Sequence, residues 1–548
     1  MKHISLYIYL FVLYWALVAF LSRRGILERY NITAWGPVLM VRTMRGQGFL
    51  DLLGRAKLFW RAFASIGIPV MFIGMLSMLA IVVLADYVLI TQLQSGTIPE
   101  PGKFNEPRNI FLIPGLSEFI PLTWGLLGLA VTLIVHEFSH AVLCKVEGVR
   151  VKSMGILLAP IPIGGFAEPD EEELMGKSGT GGGKVASKAE RMRILSAGVM
   201  SNFVTAFIAF MIFFAALGLV APSERVMVVG VEDGTPADAV GLEPGMAITH
   251  VNGERIKSAG EFILKASGVD PDSEITLRVL DDGSARNISM PAERSDEGKE
   301  SGLLIDSVVR GSAAESAGLT ENMVLKRIDE RRIGSFADFA SFMEDTRAGQ
   351  TVQVEVFNTT SNRTQVFNIT LGAHPDGSQK GFLGISPRIG RGLLFNGATI
   401  GEFPASEYLQ ALQRIPSKLR GIEGWFIIFT LPIMGLGGEG FPSHKILVNF
   451  YEPIGAAEPF GDAIFWIISA TLWIAWINFY VGLFNCLPAV PLDGGHVFKD
   501  ALGSIFNLRL KDRARSEELS RKIVTLFAVT IFSSFFLMIA IPWIVHSP

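Results

Sequence analysis

The sequence predicts a polytopic α-helical membrane protein of about six transmembrane helices, with an inserted pair of small α+β modules and a membrane-associated β-hairpin. Three observations carry this expectation. Uncharged apolar runs occur at 4–22, 62–85, 119–135 (continuing to about 144), 194–223, 463–492 and 523–545, and ~20 apolar residues suffice for one crossing. Between the fourth and fifth runs lies a long polar segment with an internal repeat of about eighty residues. Directly after the third run, 151–166 is apolar but broken by Pro160, Pro162, Gly164 and Gly165, which suits a hairpin and not a helix.

Composition agrees. Of 548 residues, 49% are hydrophobic and 18% charged, which suits a membrane protein with a sizeable polar part. The net charge of −4 gives no reason to expect a nucleic-acid partner. The two cysteines, Cys144 and Cys486, both lie in apolar segments, so no disulfide framework is expected.

Taken in order, residues 1–92 read as an N-terminal transmembrane helix pair with a cytoplasmic loop. That loop carries Arg23, Arg24, Arg29, Arg42, Arg45, Arg55, Lys57 and Arg61 against Glu28 and Asp51, and basic loops stay inside. Alternating crossings then place 145–193 and 493–522 inside and 224–461 outside. Lys184, Lys188, Arg191, Arg193, Arg513, Arg515, Arg521 and Lys522 in the inner loops agree. Sequons at Asn287, Asn358, Asn362 and Asn368 cluster in the outer segment and are compatible with glycosylation there. Residues 168–190 read as a flexible linker.

The repeat covers 225–292 and 302–372. Each copy runs from an alternating strand through a short helix and a Gly-Leu turn (Gly241-Leu242; Gly318-Leu319) to a second strand, a second helix and a closing strand. Residues 382–461 read as a linker. Within it, 401–420 has the spacing of an amphipathic helix lying on the outer membrane surface, and Trp425 to Leu436 suggests an interfacial or re-entrant piece.

The chemistry centres on His136-Glu137-Phe138-Ser139-His140 in the third run. Positions i and i+4 share a helix face, so both histidines can grip one metal with Glu137 beside them. Ionisable groups at mid-membrane cost ~2.5–3.5 kcal/mol each on the gentler insertion scale, so three together require a purpose. A catalytic zinc site usually takes three protein ligands. Asp493, the first charge after the run 463–492, is the best third candidate, with helix capping as its alternative role and His496 as a rival ligand. Asn485 is a further polar group in that run.

HExxH in a span, Ala197-Gly198-Val199-Met200-Ser201-Asn202 in the next, and Asn485-x-x-Pro488-x-x-Pro491-Leu492-Asp493-Gly494-Gly495 in a later one resemble the site-2 protease family of intramembrane zinc metalloproteases (peptidase M50). The repeat resembles tandem PDZ domains. The second copy departs from the pattern in having Thr320-Glu321-Asn322-Met323 before its hydrophobic strand, and Val199 stands where the family usually has Pro. The resemblance implies a protease core in two parts, 119–223 and 463–545, flanking PDZ domains at 225–292 and 302–372. It implies that His136, His140 and Asp493 bind one zinc ion per chain, that Glu137 activates water, and that Asn485 steadies the substrate carbonyl or its oxyanion. Gly164, Gly165 and Phe166 of the hairpin and Asn202 would contact the substrate.

Implied partners are single-span transmembrane proteins within the lipid bilayer, with peptide tails at the PDZ domains. The implied location is the cell membrane, with the active site toward the cytoplasm and the PDZ domains outside, filtering or recognising substrate. A non-catalytic scaffold is disfavoured by the intact Glu137. An ion transporter is disfavoured by the lack of matching halves.

Overall fold

The computed structural model describes residues 2–43, 47–102, 105–106, 109, 114–117, 119–159, 162–175, 185–223, 225–267, 269–270, 273–292, 303–321, 323–333, 336–358, 363–373, 380–387, 393–434 and 444–546. Apolar runs in hydrocarbon must close their backbone hydrogen bonds internally. Here they do so as helices. Five helices among the described residues are long and apolar enough to cross a membrane: Lys57–Ser95, Leu122–Glu147, Lys188–Leu217, Ala463–Asn485 and Arg513–His546. The run 4–22 falls in a further helix, Lys2–Arg23.

In chain order the elements of the first compact unit (Met1–Phe213 with Ser469–Pro548) are as follows. Helix α1 is Lys2–Arg23, strands β1 and β2 are Ile32–Trp35 and Val38–Thr43, and α2 is Lys57–Ser95. Next come α3 (Leu122–Glu147), β3 (Val151–Leu158), β4 (Pro162–Pro169) and α4 (Lys188–Leu217). The hairpin expected at 151–166 is thus extended. β1-β2-β3-β4 form one antiparallel sheet, and Leu39 to Thr43 of the presumed loop pair with Leu158 to Met154. β2 therefore covers one edge of β3 and leaves β4 as an outer edge.

The N-terminal helix α2 is built into this unit rather than appended to it. A Cβ at Gly67 would lie 3.0 Å from that of Met200, and Ser196 Oγ donates to the Ala64 carbonyl at 2.9 Å. A Cβ at Gly74 would lie 2.6 Å from Cys486 Sγ. Small residues permit this approach where lipid gives helices no hydrophobic drive to associate. Beyond the apolar stretches, ion pairs take over. The buried Glu147 carboxylate accepts from Arg61 Nη2 at 3.1 Å and Arg193 Nε at 2.7 Å, joining α2, α3 and α4. Two of the basic residues, Arg61 and Arg193, thus tie helices together. Glu147→Leu is expected to lower stability by about 1.5–3 kcal/mol, because two charge-assisted hydrogen bonds are lost while the partly exposed arginines can turn to water. Thermal unfolding in detergent would read this.

The second unit, Phe214–Ile468, holds two larger sheets among its described residues. Its strands begin with β5 (Val220–Pro222), β6 (Val226–Val231) and β7 (Ala247–Val251). After helix α5 (Ala259–Ser267) come β8 (Glu274–Asp281), β9 (Ser284–Pro291), β10 (Leu303–Val308) and β11 (Met323–Ile328). Helix α6 (Phe336–Glu344) precedes β12 (Thr351–Asn358), β13 (Arg363–Thr370), β14 (Ile385–Pro387), β15 (Leu393–Phe395) and β16 (Ala398–Glu402). The first sheet runs β9-β8-β7-β6-β16-β15 and the second β13-β12-β11-β10-β14.

This corrects the linker expected at 382–461. β14 completes the second module and β15–β16 the first, so the second module is nested inside the first. β14 and β16, of three and five residues, pair with β10 and β6 across long stretches of intervening chain, and strands so short with partners so distant leave no local pattern to read. Each module has its own core, one around Phe262, Ile248 and Val279, the other around Ile305, Leu325 and Val354.

Helix α7 (Ala405–Lys418) is amphipathic as expected, but its apolar face meets protein. Tyr408, Leu409, Leu412 and Ile415 are buried, Gln413 Nε2 donates to Leu217 O at 2.9 Å, and Tyr451 Oη donates to Ala405 O at 3.0 Å. Periodicity shows that a face is buried, not what buries it. Helix α8 (Ile422–Met434) exposes Ile422, Trp425 and Phe426; Gly435, Gly437 and Gly438 lie outside the described residues. β17 (Tyr451–Pro453) pairs with β5 and zips together the two ends of the insert. Helices α9 (Ala463–Asn485), α10 (Asp493–Leu510) and α11 (Arg513–His546) end the chain. α9 stops short of the apolar run that ends at 492, because Pro488 and Pro491 cannot continue it.

Candidate active site

Three elements meet at one point. α3 presents His136 and His140 from one face, one turn apart, with ring centroids 4.7 Å apart. α10 begins at Asp493, where the prolines and the Gly494-Gly495 pair turn the chain back on itself. A Cβ on Gly494 would overlap the Cys486 carbonyl, so only glycine admits this fold-back. Helix α4 passes behind, carrying Gly198 and Asn202.

His136 Nε2 and His140 Nε2 lie 3.1 Å apart, and Asp493 Oδ2 lies 3.2 and 3.3 Å from them. The three candidate ligand atoms all fall within 4.8 Å of one another. Asp493 does not cap its helix. Leu492 holds the cap position and makes no side-chain cap bond. Oδ2 is buried and without a hydrogen-bond partner of good geometry. His496 lies outside this group. Burial, above all, pushes its imidazole below the ordinary range, against the raising effect of Asp493.

The surroundings set the ring tautomers. His140 Nδ1 is 2.8 Å from the Ile194 carbonyl, which can only accept, so the proton sits on Nδ1 and the Nε2 lone pair points inward. His136 Nδ1 is 3.0 Å from the Asn202 side-chain amide, and Asn202 Oδ1 is buried without a partner. A half-turn of that amide, which exchanges its O and N, places Oδ1 on a His136 Nδ1–H and satisfies both groups. Both histidines then offer Nε2 lone pairs to the same point as the Asp493 carboxylate. Three convergent acceptors suit a bound cation, and His-His-carboxylate is a donor set that zinc accepts.

Asn202 was expected to touch substrate, but its fully buried side chain instead abuts His136. Gly198 explains the small-residue motif around it. A Cβ there would lie 2.5 Å from His140 Nε2 and 2.9 Å from His136 Cε1, inside the space a metal needs.

Glu137 Oε2 accepts from the backbone N–H of Ala167 at 2.7 Å, so strand β4 touches the HExxH glutamate directly. Gly164, Gly165 and Phe166 precede it on the same strand and pair with Leu157, Ile156 and Gly155. Asn485 is not among the converging groups. Its Nδ2 donates to the carbonyl of Val481 at 3.1 Å, one turn back in α9. The Ile194 carbonyl and the Ala167 N–H were missed by sequence reasoning, since backbone groups leave no residue signal. Ser139 Oγ, 2.5 Å from Ser201 Oγ, adds a polar tie between α3 and α4.

A helical membrane protein with a buried His-His-Asp cluster and an HExxH glutamate beside it falls in the class of membrane-embedded metallopeptidases. Peptidase family M50 matches residues 124–531, well over half of the sequence, and the chain belongs to that family as a site-2 protease. An uncharacterised protein of Methanocaldococcus jannaschii is 28% identical over 292 residues, covering 52% of this chain and 70% of its own. Regulator of sigma-E protease RseP of Salmonella typhimurium is 23% identical over 474 residues, covering 76% of this chain and 99% of its own. The solved PDZ domain of an SdrC-like protein from Listeria monocytogenes is 21% identical, with a TM-score of 0.15, and covers 17% of this chain and 92% of its own. The protein is thus a multi-pass intramembrane protease.

Proposed function

We propose that this chain is a zinc endopeptidase that cuts the transmembrane segments of single-span membrane proteins. The convergence of His136, His140 and Asp493 on one point carries the reading. His136, His140 and Asp493 hold the ion, Gly198 leaves room for it, and Asn202 and the Ile194 carbonyl aim the two rings. Zinc bound there supplies Lewis-acid polarisation of water and of the scissile carbonyl.

The remaining work falls to the chain itself. A substrate helix hides its carbonyls in hydrogen bonds and must unwind locally. The outer edge of β4, at Gly164, Gly165 and Phe166, receives the unwound segment as an added strand. The same strand holds Glu137 through the Ala167 N–H, which fixes the carboxylate where it takes a proton from the attacking water and returns it to the leaving amide nitrogen. Asn485 would have to give up its bond to Val481 to steady an oxyanion. The basic loops support a site toward the cytoplasm and PDZ-like modules outside, where on this reading they filter or recognise substrate. The name of the Salmonella relative, a regulator of sigma-E protease, fits a role in regulated proteolysis.

Cleavage of a model single-span substrate by purified protein in detergent tests the reading. Wild type is expected to cut, and a zinc chelator or Asp493→Ala to stop it. Cutting that persists through both treatments would sink the assignment.

The amide argument makes a narrower prediction. Asn202→Asp keeps an acceptor for His136 Nδ1–H and should hold zinc nearly as well as wild type, whereas Asn202→Leu should weaken it ~10–100-fold. Competition against a chromophoric chelator measures both. Equal affinities for the two variants would remove Asn202 from the ligand-orienting role.

A further inference from the structure

In the first module, strand β16 has two edges. One pairs with β6, Ile400 opposite Val228 and Glu402 opposite Val226. The other is taken by β15, Leu393 opposite Ile400, Leu394 opposite Thr399 and Phe395 opposite Ala398. The reversal between them is the two-residue turn Asn396-Gly397, both at positive φ (51° and 84°), a favoured way to close a hairpin. The turn is pinned: Asn396 Nδ2 donates to Pro291 O at 2.8 Å, and the Ala237 N–H donates to Asn396 O at 3.1 Å.

Phe395 enters the module's core. It is 5% exposed, and its ring stands edge-on to that of Phe262 in α5, centroids 5.2 Å apart. Helix α5 packs on β16, and Glu402 Oε1 accepts from the Ala259 N–H at the helix start at 3.3 Å. β15 therefore occupies the slot beside β16, under α5, where strand addition would seat an extended peptide.

The second module is different. Its sheet ends on β14, which pairs with β10, and among the described residues no strand lies on the far side of β14. Among the described residues, the same topological edge is unpaired in one module and filled in the other.

We propose that β15 is an intramolecular plug, and that the first module binds an extended apolar peptide, with an aromatic residue in the Phe395 position against Phe262, by displacing Leu393–Phe395 from the edge of β16. The pinned turn keeps the plug tethered, so an incoming peptide competes with a ligand that is always present and its apparent affinity falls by the fraction of chains unplugged. This proposal does not depend on the protease reading, because peptide binding can be read in a chain that does not cut.

The test uses full-length Glu137→Gln protein in detergent and a fluorescein-labelled peptide, Arg-Gly-Leu-Leu-Phe-Asn-Gly, which copies residues 391–397. Fluorescence anisotropy is expected to show binding that is ~10–100-fold tighter to Phe395→Ala than to the unaltered plug. Because Phe395→Ala also removes a core ring, a second variant keeps the core: Leu394→Cys with Thr399→Cys, at facing Cα positions. The native Cys144 and Cys486 are buried away from that exchange. Oxidation should lock β15 in place and abolish binding, and reduction should restore it. Binding that is indifferent to oxidation, or absent from both Phe395→Ala and the reduced pair, overturns the proposal.

Discussion

Gly198→Ala is expected to empty the active site of zinc. One methyl group is the smallest change a helix can be given, and alanine is the better helix former, so α4 itself has no reason to object. The cost falls wholly on the neighbours. The new carbon would stand 2.5 Å from His140 Nε2 and 2.7 Å from His140 Cε1, with His136 Cε1 at 2.9 Å. Neither ring can retreat, because His140 is tied to Ile194 O at 2.8 Å and His136 faces Asn202 at 3.0 Å. Zinc affinity should fall by more than ~100-fold, beyond the range for disturbing an outer partner of a ligand. Metal analysis of protein purified without added zinc gives the answer directly. A variant that keeps about one zinc per chain would show that the ion sits elsewhere than at the converging Nε2 atoms.

Glu137→Gln should do the opposite: keep zinc and lose the reaction. The substitution is nearly isosteric and leaves the three candidate ligands untouched. Glutamine retains a carbonyl oxygen for the Ala167 N–H, so strand β4 should stay in place. What it lacks is basicity. Removing a positioned general base typically costs ~10²–10⁴ in rate, and the turnover of a model single-span substrate should fall by that amount with metal content unchanged. A Gln variant that cuts at wild-type rate would assign the base elsewhere. One that loses zinc would make Glu137 a structural residue. The two variants together separate a site that cannot hold its ion from a site that holds it and cannot use it.

Much of this arrangement was legible before any coordinates. The long apolar runs became helices because hydrocarbon admits little else. HExxH announced two candidate ligands because a helix puts i and i+4 on one face. Asp493 was legible as the third by being the first charge after a run that prolines must end. The positions of Gly198 and Asn202 were visible in the chain, but their duties were not. A glycine in a span reads equally as packing or as clearance for a metal, and a buried asparagine equally as substrate contact or as a partner for a ring nitrogen.

The remaining differences share a cause. The nesting of one module inside the other, the four-stranded sheet built from 32–43 and 151–169, and the protein-covered face of α7 all depend on partners distant in sequence. Local pattern reports the period of a segment and the polarity of its faces. It carries no address for the surface that a face or a strand edge will meet. The class of protein, the apolar runs and the candidate metal-site residues could be read from residue order alone, because solvent exclusion and helical period act within a few turns of chain. Which backbone group lies against His140, which strand touches Glu137, and which module edge is already taken depend on contacts made after the chain has closed on itself, so no local pattern carries them.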